Sequence, residues 1–355
     1  MPVEHFRQHP DVHQPWAEWA EDSVLHVAAA YSNPFRWRTR RELANDFRRH
    51  MAASPNVVLH VGELAYGDRP FEVTDPSSDP NDVQLRGRDI LFQKENVLNL
   101  VIKTFPPDCR FGAVIDMDWH FTRHDWALEA IAQLSIYEWT QLFSSYADLS
   151  DNSLDHGQHV VRTNPSFMYN YVKNNYSIPK GYTNGGWKLP KTRDDYYDSA
   201  MGGAPQGVGA TGGAWAFRRS AFDAVGGLME RCCLGHGDYF QSFSLVSEDT
   251  PDMHVSGYTK DYQDYLSAWQ KNAARLKKNI GYVSGFCTHF WHGPKTRRSY
   301  STRDLILVKH KFSPTYDLIP NSQGVLQLNP DKPALRDAIR QYFLSRSEDL
   351  PTHLG

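Results

Sequence analysis

The chain reads as an α/β protein: a mixed, mainly parallel sheet flanked by helices, with an irregular segment laid over one edge. Three observations predict this. Short apolar runs rich in Val, Ala and Ile, such as Val24–Ala30, Val57–Gly62 and Phe111–Ile115, suit strands buried on both faces. Between them lie segments with apolar residues at helical spacing, which gives strand–helix–strand units. The third run stops abruptly at Asp116-Met117-Asp118, and ligands of open α/β sheets gather where parallel strands end.

Composition narrows the class. A chain of 355 residues can bury a large core, and its 40% apolar and 22% charged content is that of a globular protein. The net charge of -3 gives no overall pull toward nucleic acid or an anionic membrane, so any such affinity must be local. Cys109, Cys232, Cys233 and Cys287 lack metal-binding spacing and are expected as reduced thiols. No signal-peptide pattern and no long apolar run is visible, so no membrane partner and a cytoplasmic location are expected.

Taken in order, residues 1–23 are a polar, irregular lead-in. The strand at 24–30 is stopped by Pro34, and a helix follows from Arg40 to Met51. The second strand, 57–62, ends at Glu63, and the Asp- and Pro-rich stretch 75–82 is a loop. Leu91, Leu98 and Ile102 mark a helix over 89–104. The central strand runs through 111–118 in extended form. A helix over 125–134 and a strand over 138–143 come next. Residues 150–209 are rich in Tyr, Asn, Gly and Asp and read as a lid. A strand over 211–217, a helix over 218–225, a helix from Tyr239 onward and sheet elements over 281–289 follow. A basic loop at 292–303 and helices at 301–311 and 332–346 close the chain.

Alternate side chains of an extended segment point the same way, so Asp116 and Asp118 are expected to face one crevice. Two carboxylates held together call for a cation, Mg2+ or Mn2+, with a diphosphate beyond it. His292, in Thr288-His289-Phe290-Trp291-His292-Gly293, offers a nitrogen that tilts the choice to Mn2+, with His289 as a second candidate. Tyr31, Asn33 and Glu63 sit at neighbouring strand ends, where a base and ribose could be held. Asp238, in Leu234-Gly235-His236-Gly237-Asp238, opens a helix whose dipole favours a carboxylate ready to take a proton. Lys295 and Arg298 would clamp a leaving diphosphate. Arg36, Arg38, Arg40, Arg41, Arg48 and Arg49 form a second basic group compatible with a phosphate backbone. No G-x-G-x-x-G and no G-x-x-x-x-G-K-[ST] is present, which argues against a dinucleotide enzyme or a P-loop NTPase.

With these pieces in place the chain resembles GT-A nucleotide-sugar glycosyltransferases. The resemblance is to the phage and bacterial branch related to the base J DNA glucosyltransferase, and more distantly to the beta-1,4-galactosyltransferases. It is carried in order by Ala30–Trp37, Glu63–Gly67, Lys94–Asn99, Ile115–Asp118, Gly212–Ala216 through Gly227, Gly235–Asp238, and His292 through Arg303. The resemblance implies a Rossmann-like sheet, a UDP-sugar donor with Mn2+ or Mg2+, and inverting transfer of a hexose to a hydroxyl. It implies Asp116, Asp118 and His292 as metal ligands and Asp238 as base, with Lys94 and Asn99 steadying the nucleotide. Gly213, Trp215 and His236 are expected on the acceptor side. The expected acceptor is a 5-hydroxymethylpyrimidine in duplex DNA, extruded and stacked on Trp187 or Tyr196, in a host cytoplasm if phage-encoded. A polysaccharide or protein acceptor is the alternative, and a non-catalytic carbohydrate- or nucleic-acid-binding module the rival class. On this reading the chain divides into a lead-in (1–23), a nucleotide-sugar-binding half (24–149), an acceptor-binding and catalytic half (150–312) and a C-terminal helical extension (313–355).

Overall fold

The computed structural model describes residues 24–151, 158–178, 208–246, 257–300 and 302–350. The chain opens with β1 (Leu25–Ser32), α1 (Arg38–Ala52), β2 (Val57–Tyr66), β3 (Asp82–Gly87), α2 (Lys94–Ile102) and β4 (Phe111–Ile115). It continues through β5 (Trp119–Phe121), α3 (Trp126–Leu134), β6 (Trp139–Gln141), β7 (Ser145–Leu149), β8 (Val160–Pro165) and α4 (Phe167–Lys173). Then come β9 (Ala214–Arg218), α5 (Arg219–Val225), α6 (Gly237–Val246), α7 (Lys260–Ala273), β10 (Ile280–Tyr282) and β11 (Phe286–His289). The last elements are α8 (Asp304–Lys309), α9 (Pro314–Asp317), β12 (Leu318–Pro320), β13 (Leu326–Leu328) and α10 (Pro333–Ser345).

Seven strands form the central sheet in the order β10-β6-β9-β4-β1-β2-β3. All are parallel except β9, which runs against β4 and β6. Strand pleating sorts the side chains into two cores. Leu25, Val27 and Ala29 of β1 meet Phe47 and Met51 of α1 and Trp126 of α3 on one face. Ala28, Trp215 and Phe217 turn to the other face with Val97 and Val101 of α2. That helix lies so close that a Cβ on Gly62 would come within 2.5 Å of the Val101 side chain. The α/β architecture with a mainly parallel, helix-flanked sheet is therefore the one expected. A second, four-stranded sheet, β5-β11-β7-β8, stands beside it.

β1 pairs with β2 on one side and β4 on the other, so the connections leaving β1 and β4 part and open a crevice at the carboxyl edge. Long-range contacts finish this edge. The first amides of α1, at Arg38 and Thr39, donate to the Asp349 carboxylate at 2.8 and 2.9 Å. Trp37 supplies no side-chain cap, so a residue more than 300 positions away caps the helix and complements its dipole.

Several local expectations are corrected. β2 does not end before Glu63: pairing with both β1 and β3 carries it to Tyr66. β3 falls between the expected loop and helix, where no strand is expected, because an edge strand of sequence D-V-Q-L-R-G needs no apolar run. β4 ends at Ile115, and Trp119 N–H donates to Asp116 C=O at 3.2 Å, so the acidic pair sits in a tight turn rather than an extended strand. The stretch 150–209 contains β8 and α4. The C-terminal segment adds the β12–β13 hairpin, and Leu326 N–H donates to Asn96 of α2 at 3.0 Å, so this region docks on the sheet domain. No helix among the described residues is long and apolar enough to cross a membrane.

Candidate active site

The crevice at the carboxyl edge is lined by Lys94, Asp116, Gly212, Gly213, Trp215 and Asp238. Lys94 opens α2 and reaches both oxygens of Asp116, at 3.1 and 3.2 Å. Asp116 N–H donates to Gly213 C=O at 2.8 Å, which joins the turn after β4 to the start of β9. Asp238 enters from the first turn of α6. Two glycines make room for these groups: a Cβ on Gly212 would collide with the Asp238 carboxylate, and one on Gly213 would lie 2.6 Å from the Trp119 indole. Gly213 also has φ +95°, a backbone region that suits glycine.

The charges do not cancel here. Three carboxyl groups, Glu95, Asp116 and Asp238, share Lys94. Burial pushes Asp116 above the usual carboxylate range, with Asp118 and Asp238 adding to the shift and Lys94 opposing it. Burial also pushes Glu95 up to about 7, against the pull of Lys94. Burial alone would lower Lys94, yet Asp116, Glu95 and Asp238 outweigh it and raise its pKa.

Next to Asp116 the turn presents Asp118 to two imidazoles. His292 Nε2 lies 2.8 Å and His289 Nε2 3.6 Å from the same oxygen, Asp118 Oδ2. One ligating atom from each of the three residues falls within 4.8 Å of the others. Asp118 Oδ1 is buried with no hydrogen-bond partner. Two nitrogens and a carboxylate converging on one point, with an acceptor left unmatched, fit a divalent cation. The site differs from the expected set in that His289 joins it, while Asp116 is paired with Lys94. Trp119 walls the group, its ring 5.2 Å from that of His289.

Other expected site residues are placed elsewhere. The Glu63 carboxylate accepts the backbone N–H groups of Glu72, Val73 and Thr74 at 2.6 to 3.0 Å and is buried within β2. Asn33 bridges the Trp37 backbone through both ends of its amide, and Tyr31 donates to Glu72 at 2.5 Å. Asn99 holds the loop at Leu228 through N–H and C=O. These four residues are held by hydrogen bonds within the fold and are not among the residues lining the crevice. His236, at φ +69°, pairs with buried Asp304 at 2.9 Å, and Trp215 Nε1 donates to Thr211 C=O. Lys295 reaches Asp148 at 2.6 Å, and Arg298 donates to Tyr300 at 2.9 Å with its Nε left without a partner. Trp187 and Tyr196 lie outside the described residues.

Part of the basic group near α1 is paired with carboxylates. Arg40 makes a two-pronged pair with Glu348, Arg48 pairs with Asp82 and Asp79, and Arg49 pairs with Asp46. Arg36 and Arg41, of the same expected group, stand exposed. Sequence reasoning passed over Glu95 and Asp148. Glu95 stands beside Lys94 at the start of a helical run. Asp148 becomes notable only through its partners across the sheet.

No protein-family model matches this sequence, and no curated protein does. Among solved structures, the catalytic domain of Drosophila beta1,4-galactosyltransferase 7 with xylobiose is similar at 13% identity and TM-score 0.37, over 88% of this chain and 99% of that one. TarS residues 1–349 from S. aureus show 10% identity and TM-score 0.35, over 91% and 72%. The mannosyltransferase PcManGT from Pyrobaculum calidifontis, solved with GDP-Man and Mn2+, shows 10% identity and TM-score 0.35, over 94% and 74%.

Proposed function

We propose that this chain is a metal-dependent, inverting glycosyltransferase that moves a hexose from a UDP-sugar to an acceptor hydroxyl. One observation carries the reading: a single crevice sets the Asp238 carboxylate opposite the Lys94–Asp116 pair, with the Asp118–His289–His292 group beside it. Such a crevice, with clustered carboxylates and a convergent metal-ligand set at the edge of a parallel sheet, suits transfer from a charged donor.

Asp238 takes the proton of the acceptor hydroxyl as its oxygen bonds to the anomeric carbon and the bond to the diphosphate breaks. Gly212 leaves room for that carboxylate in the crevice, and Gly213 for the Trp119 ring beside it. Lys94 holds Asp116 in place, and Lys295 and Arg298 bring positive charge to the diphosphate side. A divalent ion bound by Asp118, His289 and His292 would neutralise charge developing on the leaving diphosphate, and the two nitrogens favour Mn2+ over Mg2+.

For the acceptor, hydroxymethylated duplex DNA and a polysaccharide or protein are the classes to set against each other. The internal pairing of Arg40, Arg48 and Arg49 weakens the case for DNA. The test is release of UDP from a panel of UDP-sugars with Mn2+, before and after EDTA, with each acceptor class and mass spectrometry of the product. Release that EDTA stops and added Mn2+ restores supports the reading. No release from any UDP-sugar under any of these conditions overturns it.

A further inference from the structure

The second sheet lines up four side chains in one row across its strands. Backbone register sets Trp119 of β5 opposite His289 of β11, His289 opposite Asp148 of β7, and Asp148 opposite Arg162 of β8. Paired residues of neighbouring strands present their side chains on one face, so the row is contiguous. Its contacts follow that order. The Trp119 and His289 rings lie 5.2 Å apart, His289 Nδ1 is 2.6 Å from Asp148 Oδ1, and Arg162 Nε donates to Asp148 Oδ2 at 2.5 Å. Lys295 reaches the same Oδ2 at 2.6 Å from the basic loop. Asp148 is almost fully buried.

We infer that Asp148 is a positioning residue that fixes the His289 ring so that Nε2 faces Asp118 and His292. The inference rests on the metal-dependent reading above. An imidazole nitrogen 2.6 Å from a carboxylate oxygen must carry a proton, or the contact would be repulsive. In the neutral ring a proton on Nδ1 leaves the lone pair of Nε2 free for a cation, and Nε2 is the atom that converges on Asp118 Oδ2. A carboxylate behind a ligating histidine selects its tautomer, holds its ring and raises its basicity. Arg162 and Lys295 hold the other oxygen of Asp148, so the carboxylate cannot swing away from the ring. The Trp119 face closes the opposite side and limits ring rotation.

The test reads metal binding without donor, acceptor or turnover. Binding of Mn2+ is titrated by electron paramagnetic resonance on the full chain as wild type, Asp148→Asn and Arg162→Gln, with thermal melting alongside. Loss of a carboxylate behind a ligating histidine weakens metal binding roughly 10- to 100-fold, so D148N should show that loss. R162Q, which removes a partner of Asp148 but not the His289 contact, should stay within about threefold of wild type. Equal affinity in D148N and wild type overturns the inference while leaving the transferase reading intact. Failure of the wild type to bind Mn2+ overturns the metal-dependent reading and this inference together. Should D148N fold poorly, 15N NMR of the Zn2+-loaded wild type decides: a His289 proton on Nδ1 supports the inference and one on Nε2 overturns it.

Discussion

Two sets of polar residues, one buried and one mostly half-buried, behave in opposite ways. Outside the crevice lining, Glu63, Asn33, Tyr31 and Asn99 find internal partners: loop amides for Glu63, the Trp37 backbone for Asn33, Glu72 for Tyr31 and Leu228 for Asn99. In the crevice, three carboxyls share one lysine, and Asp118 keeps an oxygen without a partner. A buried polar group that is satisfied stabilises the fold, whereas one left unmatched is costly and persists where a ligand completes it. Apart from Glu95, the sequence and its resemblance offer both sets as site residues. Only the partners separate a brace from a site.

The largest effect expected is at Asp238. Asp238→Asn should keep the donor bound and lower transfer by roughly 10²- to 10⁴-fold, the range for loss of a general base. Turnover close to wild type in a single-turnover assay would move Asp238 out of the reacting group and erase the contrast at its most important point.

On the bracing side, Glu63→Ala leaves the amides of residues 72–74 without their acceptor. A carboxylate bonded to several buried donors is worth several times a neutral hydrogen bond, so a loss of about 3 kcal/mol or more is expected in denaturant titration. Per folded molecule, catalysis should be little changed. A stable but inactive variant would show that Glu63 belongs to the site after all.

Glu95 tests the unmatched charges by pH. Its carboxyl has an ordinary value of 4.5 and is pushed up to about 7 in the fold by burial. Below 4.5 both folded and unfolded chains hold the proton; between 4.5 and 7 the folded chain alone does. The contribution to stability is thus full below about 4.5 and is lost as pH rises to about 7, by on the order of 3 kcal/mol. Glu95→Gln removes that fall, so its melting temperature should match wild type near pH 4 and exceed it at pH 8. A gap between the two proteins that stays constant with pH would refute the shared-charge account.

The smallest effect concerns space. Gly213→Ala meets the Trp119 ring at 2.6 Å and places a side chain at φ +95°, so about 1–3 kcal/mol of destabilisation is expected. Trp119→Phe in the same background should recover part of it. Absence of any recovery would place the strain in the backbone rather than in the contact.

How much was legible beforehand follows from the range of each interaction. The apolar runs of β1, β2 and β4, the helical spacing in α2 and α3, and the acidic stop after Ile115 are local patterns, and they gave the α/β class and the place of the crevice. The tertiary structure alone decided that Asp116 and Asp118 lie in a turn, that His289 joins His292, and that Asp148 stands behind it through register across β11 and β7. It also decided that Arg40 faces Glu348 rather than an outside phosphate, and that Asp349 caps α1. Periodicity records what a residue does with neighbours a few positions away. The partner of a buried charge is chosen by chain topology, over separations that run from 14 residues for Asp148 and Arg162 to 308 for Arg40 and Glu348, and spacing along the chain carries no trace of it.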